Sequence, residues 1–371
     1  MQSIEPASLG RMIQVLKVKG YCVVGPTVRD GAVVYAEIGG LDDLPRGVGD
    51  EQSAASYRLR DREDGAFFGY TLGPVSWKKF LVPPRATLFS AIRNGRGFDV
   101  AAGNAADPPQ KMAFLGVRPC ELRALELLDK VFLGDDVVDP LYKANRDNSI
   151  VIAVNCSTSG GTCFCASMGT GPSAHGGYDI VLTEVTGPDR HYLTVDADTA
   201  RGEAIVQELQ APSATPAEIE EAEAAVARAA DMQGTRLDIE GLPRALKDNF
   251  DHPHWDEVAR RCLACANCTM VCPTCFCSTV EDVTDLTGSR AERRRRWDSC
   301  FSSEFTRVAG GNIRPSVRAR YRQWLTHKLE HWVDQFGAMG CVGCGRCITW
   351  CPAGIDITAE AAAIRNNGAQ V

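Results

Sequence analysis

The sequence predicts two unlike halves: an α/β N-terminal domain with a mixed sheet that contains a βαβ unit, then a mainly helical domain dense in cysteine. Three observations carry this. Apolar, β-branched runs at 111–117 and 149–155 bracket ELRALELLDKVF, whose apolar residues recur at helical spacing, the order of a parallel strand–helix–strand unit. Cysteine, arginine and tryptophan crowd into the residues after about 240. A four-cysteine run occurs twice in that region at one spacing.

The elements follow in order. Segments 21–25 and 32–38 are strands flanking Asp30-Gly31, read as a hairpin with a longer loop. Further strands are expected at 66–72, 111–117, 149–155, 179–185 and 191–195. Thr215, Pro216 and Glu218 have the form of a capping box with proline at the first helical position, and Gly234 is a natural stop. The Ala/Glu-rich stretch between reads as a solvated connecting helix. The expected organisation is an α/β domain over 1–210, a connecting helix over 211–240 and a cysteine-rich domain over 241–371 with a long basic insertion at 278–340.

Hydrophobic residues make up 44% and charged residues 23% of the 371, ordinary values for a globular chain. A net charge of -7 argues against general affinity for nucleic acid or an anionic membrane. No apolar stretch approaches the length of a membrane span, and the first twenty residues lack an apolar export segment, so a cytoplasmic chain is expected. Sixteen cysteines in so long a chain then point to metal rather than to disulfides.

The first run is Cys262, Cys265, Cys268 and Cys272 followed by Pro273; the second is Cys341, Cys344, Cys347 and Cys351 followed by Pro352. Both have the spacing C-x2-C-x2-C-x3-C-P, which resembles the [4Fe–4S] run of bacterial ferredoxins. Zinc sites draw short C-x2-C knuckles from separated positions and do not match it. The resemblance implies two clusters with crossed ligands in a ferredoxin-like domain. Cluster A would use Cys262, Cys265, Cys268 and Cys351, and cluster B Cys341, Cys344, Cys347 and Cys272. Clusters closed in this way transfer electrons, so no catalytic residue is assigned to this chain. Between Arg290 and Lys328 stand eleven Lys/Arg and three acidic residues, including Arg293–Arg296. This charge either raises the potential of nearby anionic clusters or docks an acidic partner.

Eight cysteines lie outside the two runs. Cys120 follows one strand of the βαβ unit and Cys156 follows the other, which places both at carboxyl ends on one sheet edge, where α/β sheets hold ligands. Cys163 and Cys165 come in the Gly-rich loop that follows, and the four together are the candidate ligands of a third iron–sulfur cluster. Buried structural cysteines or a redox disulfide are the competing readings. Cys275, Cys277 and Cys300 are alternative ligands, and Cys22 is read as a core residue. His327 and His331, four apart, read as packing or surface residues. No dinucleotide or phosphate-binding glycine motif is present, so if nucleotide or flavin is involved, a partner is expected to bind it.

GVRPCELRAL at 116–125, TCFCASMGTGP at 162–172, CLACANCTMVCPTCFC at 262–277, WDSCF at 297–301, GGNIRPSVRARYRQWLTHKL at 310–329 and CVGCGRCITWCPAGIDIT at 341–358 together resemble one family. It is the iron–sulfur beta subunit of cytoplasmic NAD(P)-linked [NiFe] hydrogenases, or sulfhydrogenases, to which the anaerobic sulfite reductase A subunit is related. The resemblance implies a hetero-oligomer with a flavin/NAD(P)-binding subunit and hydrogenase small and large subunits. This chain would relay single electrons between the flavin subunit and the small subunit. The alternative is the same role in a sulfite or sulfur reductase; a more remote one is a regulatory iron–sulfur protein that binds nucleic acid through its arginines.

Overall fold

The computed structural model describes residues 1–71, 73–103, 109–134, 137–188 and 190–366. Its larger sheet contains β1 (Gln2–Ile4), β2 (Cys22–Arg29), β3 (Ala32–Glu37), β8 (Met112–Val117), β9 (Ser149–Val154), β10 (Ile180–Thr186) and β11 (His191–Ala197), in the order β1-β11-β10-β9-β8-β2-β3. β2, β8, β9 and β10 run parallel, and antiparallel partners close both flanks, so the sheet is mixed as expected. β8 and β9 are buried almost throughout, which explains why their sequences are continuous apolar runs without alternation. The β2–β3 turn is tighter than the sequence reading: Asp30 and Gly31 alone span it, with φ of 50° and 74°. An aspartate followed by glycine tolerates the positive φ that a two-residue hairpin needs.

Helices cover both faces. On one, the helix Ser8–Val18 inserts Leu9, Met12, Ile13 and Leu16, and the helix Ala200–Leu209 adds Ile205, Val206 and Leu209. On the other lies the crossover helix Pro119–Phe132, begun by proline at its first position. Its Leu122, Leu125 and Leu128 pack on the sheet, while Ala124 and Leu127 turn toward Trp332 and Val342 of the C-terminal half. One helix thus glues the two halves through two stripes set by the 3.6-residue period.

The strand expected at 66–72 is absent over its described part, 66–71, which is buried loop. Its amides are satisfied by side chains instead of a ladder: Phe67 and Phe68 donate to the Glu184 carboxylate at 2.7 and 2.8 Å. Apolar composition signalled burial, and burial there did not need a strand. The expected capping box is present, with Thr215 N donating to Glu218 Oε2 at 2.8 Å and Glu218 N to Thr215 Oγ1 at 3.3 Å. Its helix, Pro216–Asp231, is less solvated than expected, because Ala222, Ala225 and Ala229 are buried on its inner face.

Two hairpins are β4 (Val48–Ser53) with β5 (Ser56–Asp61), and β6 (Arg85–Asn94) with β7 (Gly97–Ala102). The C-terminal half is helical around the cysteines, as predicted, but the basic insertion opens with a hairpin of β12 (Ser278–Thr284) and β13 (Arg290–Trp297). β13 pairs with β6, giving a four-stranded sheet β12-β13-β6-β7 to which both halves contribute. A separate core, including Trp255, Val258, Leu325, Leu329, Ile357 and Ile364, backs the cysteine loops.

Candidate iron–sulfur centres

Each cysteine run forms a loop that enters a one-turn helix, Asn267–Met270 in the first and Arg346–Thr349 in the second, and the two helices pack on each other. The loops turn through left-handed residues at matching places: Ala264 and Ala266 (φ 49° and 67°) in the first, Gly343 and Gly345 (φ 64° and 73°) in the second. Such turns aim backbone amides inward. Ala264 N donates to Cys262 Sγ and Ile355 N to Cys351 Sγ, each at 3.4 Å.

The two motifs exchange their last cysteines in space. Cys262, Cys265, Cys268 and Cys351 line one cavity, closed by Phe301, Tyr321 and Trp324. Cys341, Cys344, Cys347 and Cys272 are electrostatic neighbours in the same way, and Cys268 lies beside Cys272 where the two sets meet. Four thiols around each of two adjoining spaces, with amides aimed at sulfur, suit a pair of cuboidal clusters. Among the described residues no three Cys, His, Asp or Glu side chains are drawn together tightly enough for a single ion.

Burial is the main influence on most of these thiols. It raises Cys262, Cys268 and Cys347, and takes Cys341 up to about 12. Cys272 goes the other way, held far below its ordinary value by a hydrogen bond from Cys275 and by the buried cations Lys328 and Lys78. Lys328 Nζ sits 3.1 Å from Cys272 Sγ and 3.1 Å from Thr274 Oγ1. Lys78 Nζ donates to the carbonyls of Cys272 and Cys275, both at 2.9 Å, and lies 4.0 Å from the Trp297 ring centroid. Burial opposes the charge on Lys328, but the thiols of Cys272, Cys275 and Cys341 outweigh it.

The structure also brings together Cys120, Cys156, Cys163 and Cys165. Cys120 opens the crossover helix beside Cys165, Cys156 and Cys344, and the Cys163 thiol faces Cys165 and Cys156. This group therefore adjoins the second motif at Cys344. Burial raises all four thiols, Cys165 to about 12. Polar partners are built in: Gln233 Nε2 donates to Cys165 Sγ at 3.1 Å, and the Arg118 guanidinium hydrogen-bonds the Cys156 thiol. Arg118 is itself fixed by the carbonyls of Phe68 and Tyr70 at 2.8 and 2.9 Å.

The alternative ligands Cys275, Cys277 and Cys300 do not join that group; they line a separate cavity of about 390 Å³ with His327 and Lys328. His327 and His331 lie on a π-helical turn, His327–His331, with ring centroids 6.4 Å apart. His331 turns to Glu330 at 3.3 Å, whereas burial takes His327 down to about 4. Cys22 is half-buried on β2.

Sequence reasoning missed the charged residues that seat these loops. Arg346, in the second run, is fully buried; Nε donates to Gly73 O at 2.8 Å, and Nη2 meets Glu121 Oε1 at 2.7 Å. Tyr35 OH completes Glu121 by donating to Oε2 at 2.7 Å. Arg118 and Glu121 flank Cys120 in sequence, and that adjacency was the available signal. The run Arg293–Arg296 has acidic partners along β13: Asp282 at 2.7 Å, Glu292 at 2.6 Å, Asp139, and Glu281 at 3.0 Å.

The fold and the paired cysteine loops define an iron–sulfur protein, and residues 261–355 match the 4Fe-4S dicluster domain family. The chain belongs to the sulfhydrogenase subunit beta family. It is 32% identical over 321 residues to sulfhydrogenase 2 subunit beta of Pyrococcus furiosus, covering 85% of this chain and 91% of that one. No solved structure matches. The chain is an electron-transferring iron–sulfur subunit, and among the described residues no helix is long and apolar enough to cross a membrane.

Proposed function

We propose that the chain relays single electrons, in the cytoplasm, between a flavin/NAD(P)-binding subunit and the small subunit of a [NiFe] sulfhydrogenase whose large subunit carries out the hydrogen chemistry. The observation that carries this reading is the contiguity of three four-thiol groups. Cys262, Cys265, Cys268 and Cys351 adjoin Cys341, Cys344, Cys347 and Cys272 through Cys268 and Cys272, and these adjoin Cys120, Cys156, Cys163 and Cys165 through Cys344. When bound, [4Fe–4S] clusters accept and release one electron at a time. The residues around the groups hold the thiols in place and supply amide and ammonium donors to sulfur. Cys265 is exposed beside Leu263, which is 68% exposed, so the first group reaches the surface where a partner docks.

The reading is tested on anaerobically prepared protein by iron and acid-labile sulfide analysis, in which the three relay groups should account for about twelve of each per chain. Cys120→Ser should then remove the spectroscopic signal of its own group and leave those of the other two relay groups. Survival of every signal refutes the third ligand set, and a chain that exchanges no electrons with a flavoprotein refutes the relay. Co-purification with hydrogenase subunits separates this reading from a sulfite reductase role, in which a sirohaem enzyme would be captured instead.

A further inference from the structure

Four thiols remain after the groups above are assigned; Cys22 stands apart on β2, and the fold gathers the other three. Cys275 and Cys277 leave the first motif on alternate positions, and Cys300 comes back to them from the far side of the β12–β13 hairpin. Cys277 and Cys300 share a hydrogen bond, and all three line the 390 Å³ cavity. His327 lines it too, and Gln335 hydrogen-bonds the imidazole. An imidazole oriented through one nitrogen is prepared to ligate through the other. His327 begins a π-helical turn, an irregularity that recurs at functional sites. Lys328, next on that turn, brings positive charge to a wall of thiols.

We propose that Cys275, Cys277, Cys300 and His327 hold a further iron–sulfur cluster in this cavity, separate from the three cysteine groups of the relay. Histidine replaces cysteine as an iron ligand in some iron–sulfur centres, where it raises the potential relative to an all-thiolate site. Among the described residues these donors do not form a group that could hold a single metal ion such as zinc. On assembly each ligating thiol gives its proton to the buffer and forms one iron–sulfur bond, while His327 ligates through a ring nitrogen that carries no proton. Cys300 also lies beside Cys268, so the site adjoins the first motif and would exchange electrons with it.

The test uses the full chain, loaded anaerobically with iron and sulfide. The double variant Cys277→Ser/Cys300→Ser should lose about four irons per chain while the resonances of the relay groups persist. The single variant His327→Cys should keep its iron but lose the nitrogen coupling that pulsed paramagnetic resonance detects on the wild-type site. Unchanged iron in the double variant overturns the proposal, as does zinc occupying the site. Should the double variant not fold, alkylation decides: modification of Cys275, Cys277 and Cys300 by iodoacetamide in the native loaded protein overturns the proposal, and protection that disappears on iron removal supports it. Failure of the relay sets under Cys120→Ser leaves this proposal standing, because it shares no ligand with them.

Discussion

At the scale of single residues, the centres are governed by how charge is balanced in a dry interior. Lys328 is the clearest case, an ammonium 3.1 Å from the sulfur of Cys272. Positive charge there favours the more negative, reduced state of the neighbouring centre, so Lys328→Met should move the potential of the second-motif centre to more negative values. A redox titration in which that potential stays put would discount the electrostatic role. Burial of neutral thiols makes a second prediction. Cys341 and Cys165 stand near 12 in the metal-free chain, so both carry protons at pH 7 and must shed them when iron binds. Iron loading should release protons and strengthen as pH rises, which titration calorimetry in buffers of different ionisation enthalpy measures. For the metal-free fold the sign is opposite. These thiols are raised from 9.0, so the stability they contribute is complete below pH 9 and is lost as pH climbs toward 12.

At the scale of elements, the two cysteine loops share a shape but not a composition. Ala264 and Ala266 tolerate their left-handed backbone with a methyl group in place, whereas Gly343 and Gly345 have no such room. A Cβ on Gly343 would lie 2.6 Å from Phe164 O, and one on Gly345 2.4 Å from Thr162 O. Gly345→Ala should therefore cost more than the roughly 1–2 kcal/mol of left-handed strain alone, while Ala266→Gly should be mild. Denaturant titration of the two variants checks the contrast. The duplicated motif was legible because four ligands at fixed spacing are a local property of the chain. So was the crossover unit, whose strands β8 and β9 are continuous apolar runs. The buried loop at 66–71 was not, because hydrophobicity reports burial and is silent on whether an amide meets a carbonyl or the carboxylate of Glu184, over a hundred residues away. The hairpin bearing the arginines was obscured for a related reason: its charges are paired across strands, with Arg293 opposite Asp282.

At the scale of the whole molecule, the halves are joined by polar contacts that no local pattern announces. Arg346 and Glu121 form an ion pair 225 residues apart in sequence, with side chains 0% and 1% exposed. Removing one partner strands the other charge in the interior, so Arg346→Met or Glu121→Gln should destabilise the protein by about 3–5 kcal/mol. The double substitution to apolar residues should cost much less, and a double-mutant cycle on chemical unfolding measures the difference. Around this pair, Thr162 and Thr349 hydroxyls meet at 2.8 Å, Phe164 N donates to Gly343 O at 2.9 Å, and Thr170 Oγ1 donates to Val342 O at 2.6 Å.

That last set of contacts bears on how the protein matures. The second cysteine loop is pressed backbone to backbone against residues 162–165, so it acquires its shape only after the distant N-terminal half has closed over it. A ribosome delivers the cradle first and the loop it receives some 180 residues later. Cofactor insertion at the second motif should accordingly wait for the complete chain, and a shortened version carrying only the dicluster segment would be a poor vessel for metal.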